Sequence, residues 1–125
     1  MFKKIAMLAV LSSLAFGLTA PAYADSNVVL RVVTVKTDDV ATYTHELDKA
    51  RVILKRLGIS ATVRVWRATL AGPNTGLVIV SQEYANLGAF ADSTTKTAAD
   101  AEYTQWLKNL DKIRTVVSDS LYREL

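Results

Sequence analysis

Two hydrophobic periods alternate along this chain. From Asn27 to Lys36 the order Asn-Val-Val-Leu-Arg-Val-Val-Thr-Val-Lys is dense in β-branched residues and free of Gly and Pro, which predicts a strand. Strand alternation sets Val28, Leu30, Val32 and Thr34 on one face and Val29, Arg31, Val33 and Val35 on the other. Both faces are largely apolar, as in a central strand covered on both sides, and Arg31 is the exception. The period then changes. Val40, Tyr43, Leu47, Ala50, Leu54 and Leu57 recur at spacings of three and four, which predicts an amphipathic helix. Thr37-Asp38-Asp39 supplies a capping residue and negative charge at its start. Lys55 and Arg56 suit the dipole at its end, and Gly58 stands where a left-handed cap is expected.

From Ile59 to Ala71 the chain alternates again, and Leu77 to Tyr84 is a second β-rich run. Gly72-Pro73-Asn74-Thr75-Gly76 between them is a cluster of turn formers, so the two runs make a hairpin. Asn86-Leu87-Gly88-Ala89-Phe90-Ala91 opens a weaker helical stretch. Asp100 caps a further helix whose stripe is Tyr103, Trp106, Leu107 and Leu110, and Arg114 to Arg123 reads as a last strand. The resulting order, β-α-β-β-α(α)-β, is the ferredoxin-like α+β arrangement: a four-stranded antiparallel sheet with helices on one face. A first strand that is apolar on both faces then leaves one apolar face for another subunit, and a homodimer through that face is expected, with Val33 as an outward valine.

The segment before Asn27 changes the picture of where this domain works. Lys3 and Lys4 precede an apolar stretch from Ile5 to Leu18, and Ala22-x-Ala24 presents small residues ahead of Asp25. This is the three-part pattern of a secretory signal peptide, expected to be cleaved after Ala24. The stretch is shorter than a bilayer span and is diluted by Ser12, Ser13 and Gly17. The reading is therefore a leader over 1–24 and one domain over 25–125, periplasmic or secreted, with no membrane attachment after leader removal.

Charge and composition narrow the partners. The chain has 15 Lys and Arg against 12 Asp and Glu, but Lys3 and Lys4 belong to the leader, so the remaining domain is near neutral. No basic run suggests nucleic acid or an anionic membrane. The chain has no cysteine, so disulfides, thiolate metal sites and a cysteine nucleophile are excluded.

The first strand Val28 to Lys36 carries a resemblance together with four other segments: the hairpin Arg67 to Gly76, Glu83-Tyr84 leading into Asn86-Leu87-Gly88-Ala89-Phe90, Asp100-Ala101-Glu102-Tyr103, and the closing Val116 to Arg123. Together these resemble the dimeric α+β barrel superfamily, in particular small proteins similar to antibiotic-biosynthesis monooxygenases. The resemblance implies two sheets closing into a barrel across a dimer, with a cavity between sheet and helices in each protomer. Its members include cofactor-free oxygenases, haem-degrading enzymes and proteins without known activity, so the fold does not choose among them.

The candidate chemistry lies in five residues. His45, the only histidine, would serve an enzyme as a base or haem ligand, yet it falls off the apolar stripe of its helix, where a solvated residue is ordinary. Haem-degrading relatives use an Asn, His and Trp set, and Asn27 and Trp66 do not complete one with it, so no cofactor is expected. Arg64 and Trp66 share a face of the second strand and together could hold a planar or acidic ligand, or Trp66 packs and Arg64 pairs with an acid. Arg31 and Glu83 lie on strands that are neighbours in this order and are expected to pair across the sheet, either structurally or inside a cavity. No Ser/His/Asp arrangement, metal cluster or phosphate loop is evident. The function that follows is an exported homodimer binding a small apolar or aromatic molecule. Two alternatives stand beside it: a cofactor-free monooxygenase or isomerase that uses His45, Arg31 or Glu83, and a structural or partner-binding protein without catalysis.

Overall fold

The parity of the first strand decides the architecture. In the computed structural model, which describes residues 27–125, β1 (Val29–Lys36) buries Val29, Val33 and Val35 to 6% exposure or less, and these three lie on the side the helices cover. Arg31 shares that side. Leu30, Val32 and Thr34 point the other way. Val33 is therefore a core residue rather than an outward valine: the helices settle on the face with three buried valines, and Val32 takes the outward place. The proposed leader and its cleavage site lie outside the described residues.

After β1 come α1 (Val40–Arg56), β2 (Thr62–Arg67), a 3-10 turn (Gly72–Asn74), β3 (Val78–Tyr84), α2 (Leu87–Ala98), α3 (Ala101–Leu110) and β4 (Thr115–Arg123). They form one four-stranded antiparallel sheet in the order β2-β3-β1-β4. This is the expected ferredoxin-like α+β order. β2 is shorter than its alternating pattern, because Ala68 to Ala71 belong to the hairpin loop. Gly72 and Gly76 turn that loop at φ of +57° and +92°, a conformation glycine adopts without strain. Ala68 N–H donates to the Leu77 carbonyl at 2.9 Å and closes it.

The helix ends follow local chemistry. Asp39 caps α1 by accepting from Thr42 N–H, Asn86 caps α2 through Ala89 N–H, and Asp100 caps α3 through Tyr103 N–H. Arg56 at the end of α1 reaches Asp100 at 2.7 Å and Glu102 at 2.8 Å, which ties α1 to the start of α3. Trp106 donates its indole N–H to the Glu46 carbonyl at 3.0 Å, a second tie between the same helices.

The core is the layer between sheet and helices, where Val33, Val35, Val78 and Val80 meet Tyr43, Leu47 and Leu110. Each such side chain contributes about 1.5–3 kcal/mol by leaving water. β4 runs along an edge, and its pairing with β1 slips between Thr34 and Val35: Ser118 stands opposite Thr34 while Val116 stands opposite Val35, leaving Val117 as the extra residue of a bulge.

Candidate functional site

The same alternation that builds the core leaves room near its open end. On the helix-facing side of the sheet, β1 contributes Arg31 and Val33, and β3 contributes Val80, Gln82 and Tyr84. Opposite them stand Tyr43, Leu47 and Ala50 of α1, Ser93 and Thr97 of α2, and Tyr103 and Trp106 of α3. Together they enclose a cavity of about 320 Å³, within the size range of small-molecule sites. Its lining mixes aliphatic side chains with polar groups from both layers, and a cluster of the latter lies on β1, β3 and β4.

Arg31 is the centre of that polar group. Its Nε and Nη2 donate to the two carboxylate oxygens of Asp119 on β4, at 2.9 and 2.6 Å, a fork-to-fork pair. Asp119 also lines the cavity. The guanidinium holds the Asp119 carboxyl below the usual carboxylate range, and the carboxylate in turn holds Arg31 firmly protonated. Gln82 stands directly opposite Arg31 in the β1–β3 register, and its Oε1 accepts from the Tyr84 hydroxyl at 2.9 Å. The Tyr84 hydroxyl also lies 3.4 Å from Ser93 Oγ.

The deeper wall holds a second guanidinium. Arg114, in the turn before β4, donates to Asp111 Oδ1 at 3.0 and 3.1 Å and to the Tyr43 hydroxyl at 3.3 Å. Burial pushes the phenol pKa of both Tyr43 and Tyr103 up, so both are neutral hydroxyls at physiological pH. Asp119 is an anion whose two oxygens are already engaged. The cavity is thus preorganised for holding a molecule by hydrogen bonds and aromatic contact.

The five residues singled out from the sequence do not form one site. Only Arg31 lines the cavity. Arg31 and Glu83 do not pair: β1 and β3 are neighbours, but the register sets Glu83 opposite Leu30 and Gln82 opposite Arg31, so Glu83 and Arg31 occupy opposite faces. Asp119, supplied from β4 on the other flank of β1, takes the place expected for Glu83. Arg64 and Trp66 do share a face with each other and with Glu83, the face turned away from the helices. There the Trp66 indole donates to Ser81 Oγ at 2.8 Å and remains 52% exposed. With Leu30, Val32 and Ile79 they border an open depression of about 450 Å³. His45 is exposed on α1 and does not line the cavity.

Gln82, Asp119 and Arg114 were not anticipated. Gln82 breaks the inward run of Val78 and Val80, a visible signal once the face is known. Asp119 carried no such signal, because a bulge interrupts the alternation of its strand.

No protein-family model and no curated protein sequence matches the chain. Solved structures do resemble it. A NIPSNAP family protein from Agrobacterium tumefaciens aligns with a TM-score of 0.58 at 17% identity, over 79% of this chain and 83% of that one. SnoaB, a cofactor-independent oxygenase from Streptomyces nogalater, aligns with a TM-score of 0.55 at 13% identity, over 79% and 94%. A dimeric protein of unknown function and ferredoxin-like fold from Bacteroides fragilis aligns at 0.52 and 17% identity, over 78% and 96%. At these identities the likeness is one of fold. The chain has the ferredoxin-like α+β fold found in antibiotic-biosynthesis-monooxygenase-like and NIPSNAP proteins.

Proposed function

From that shared fold and the cavity it frames, we propose that this chain is an exported homodimer that binds a small, partly aromatic molecule between its sheet and its helices. The observation that carries the reading is the cavity itself. Its volume is about 320 Å³, and Arg31, Gln82, Tyr84 and Tyr103 line it together with aliphatic side chains such as Val33, Leu47 and Val80. Polar groups set among apolar ones orient a ligand without filling the space.

The dimer is supported by the opposite face. Leu30, Val32 and Ile79 lie there beside Trp66 and Tyr122, the last two 52% and 57% exposed. Contributed twice across a two-fold axis, at about 1.5–3 kcal/mol for each aliphatic side chain fully covered, they offset an association cost of roughly 4–15 kcal/mol. A structural neighbour is itself described as dimeric. Export is supported by the leader pattern.

Native mass spectrometry of protein recovered from the periplasm tests all three parts together. The expected species is a dimer of chains beginning at Asp25, with a small organic molecule released on activation. A monomer would overturn the role of the outer face. An uncleaved chain in the membrane fraction would overturn export. A dimer that neither retains nor takes up any small aromatic compound would remove the binding reading in favour of a structural role. Consumption of an added compound in air would replace binding by turnover.

A further inference from the structure

The hydrogen bonds of the cavity wall are unevenly spent, and this imbalance specifies the ligand. The carboxylate and amide oxygens each already take a hydrogen bond: both oxygens of Asp119 take Arg31, and Gln82 Oε1 takes the Tyr84 hydroxyl. The hydroxyls of Thr94, Thr97 and Thr104 donate to backbone carbonyls of their own helices. Several donors have no partner among the described residues: Arg31 Nη1, whose two N–H groups lie on the edge away from Asp119, the amide nitrogen of Gln82, and the Tyr103 hydroxyl. All three residues line the cavity, and Arg31 and Gln82 stand opposite each other on adjacent strands. Tyr103 lies close enough to Arg31 for the guanidinium charge to act on its phenol.

We infer that the cavity selects an aromatic carboxylic acid, with its carboxylate received by Arg31 Nη1 and the Gln82 amide and capped by the Tyr103 hydroxyl. A carboxylate accepts only, and it offers two oxygens to donors held side by side. A neutral hydroxyl or amine of the same shape offers these donors a single atom at most and no negative charge to set against the guanidinium. Asp119 is a positioning residue: it holds the opposite edge of the guanidinium and so turns Nη1 inward. The ring of the acid then lies among Tyr43, Tyr84 and Trp106, where aromatic contact adds to its burial.

The inference rests on the cavity being the ligand site, so its test separates the two. The purified Trp66→Phe protein keeps Trp106 as its only tryptophan, and Trp106 lines the cavity. 4-Iodobenzoate and 4-iodobenzyl alcohol share a ring and a heavy-atom quencher and differ in the head group. Titration calorimetry gives their affinities; Trp106 also borders an outer groove beside Val52, so quenching that persists in a Val52→Lys background reports binding in the cavity. The acid is expected to bind at least about tenfold more tightly than the alcohol, the scale of a charge-assisted hydrogen bond. Arg31→Gln, which can still bond Asp119, is expected to remove that preference. Equal binding of both probes with Trp106 quenched would overturn the acid inference and leave the cavity reading standing. So would an Arg31→Gln protein that keeps the preference. Binding of neither probe, or binding without quenching of Trp106, would overturn both.

Discussion

Val32 and Val33 are adjacent in β1 and belong to different environments: Val33 is 6% exposed beneath the helices, whereas Val32 borders the open depression of the outer face. The same substitution at the two positions therefore separates folding from association. Val33→Asp places an unpaired carboxylate in the core and is expected to prevent stable folding, and Val33→Ala to cost on the order of 2 kcal/mol. Val32→Asp is expected to leave a folded chain that sediments as a monomer. Chemical denaturation together with sedimentation equilibrium checks both. A folded Val33→Asp protein, or a dimeric Val32→Asp protein, would contradict this assignment of faces.

Acid is expected to weaken the fold through three carboxylates. Asp39, Asp100 and Asp119 titrate below the usual range in the folded chain. Asp39 is held down by backbone N–H donation from Thr42, and Asp100 and Asp119 by hydrogen bonds from Arg56 and Arg31. As the pH falls below about 4 the unfolded chain takes up protons before the folded one. Stability is thus full above that value and declines beneath it. Thermal melts from pH 6 to pH 2.5 should show the decline, and Asp100→Asn and Asp119→Asn should each make it shallower. Parallel profiles for wild type and both variants would remove this account.

Tyr43 is fully buried, and its hydroxyl accepts from Arg114 Nη1. Tyr43→Phe keeps the ring and removes the acceptor, so it should cost about 1 kcal/mol in equilibrium denaturation. A stabilised Phe variant would mean that the hydroxyl is not satisfied by Arg114.

Gly58 ends α1 at φ +71° with open space where a side chain would stand. Gly58→Ala meets no steric clash with the rest of the fold and carries only the backbone cost of a left-handed residue, about 1 kcal/mol. A neutral effect would show that the turn after α1 relaxes freely.

The fold was legible because its signals are local. Three-and-four spacing marks α1, Asp100 marks the start of α3, and the doubly apolar β1 announces a central strand of the sheet. The site was less so. Arg31 stood out as a charge within an apolar strand, but its partner depended on register, which alternation within one strand does not fix. Glu83 and Gln82 are neighbours in sequence and share a strand, and a single step between them exchanges the cavity for the outer face. Trp66 and Arg64 were correctly grouped with each other, yet which face they shared was set by the helices that pack on the opposite side. His45 sits off the stripe of α1, and the structure leaves it in solvent.

The bulge in β4 has a consequence for how this cavity can change over generations. In an unbroken strand Val116 and Asp119, three positions apart, would face opposite sides, yet both line the cavity because Val117 is absorbed without a partner. Loss of Val117 would therefore straighten the strand and keep both residues in place. Loss of Ser120 would instead reverse the facing of the residues on one side of the deletion and force either Asp119 or the strand's end out of position. The strand carries one spare residue, and it is the single point on that wall where chain length can drift while the partner of Arg31 stays fixed.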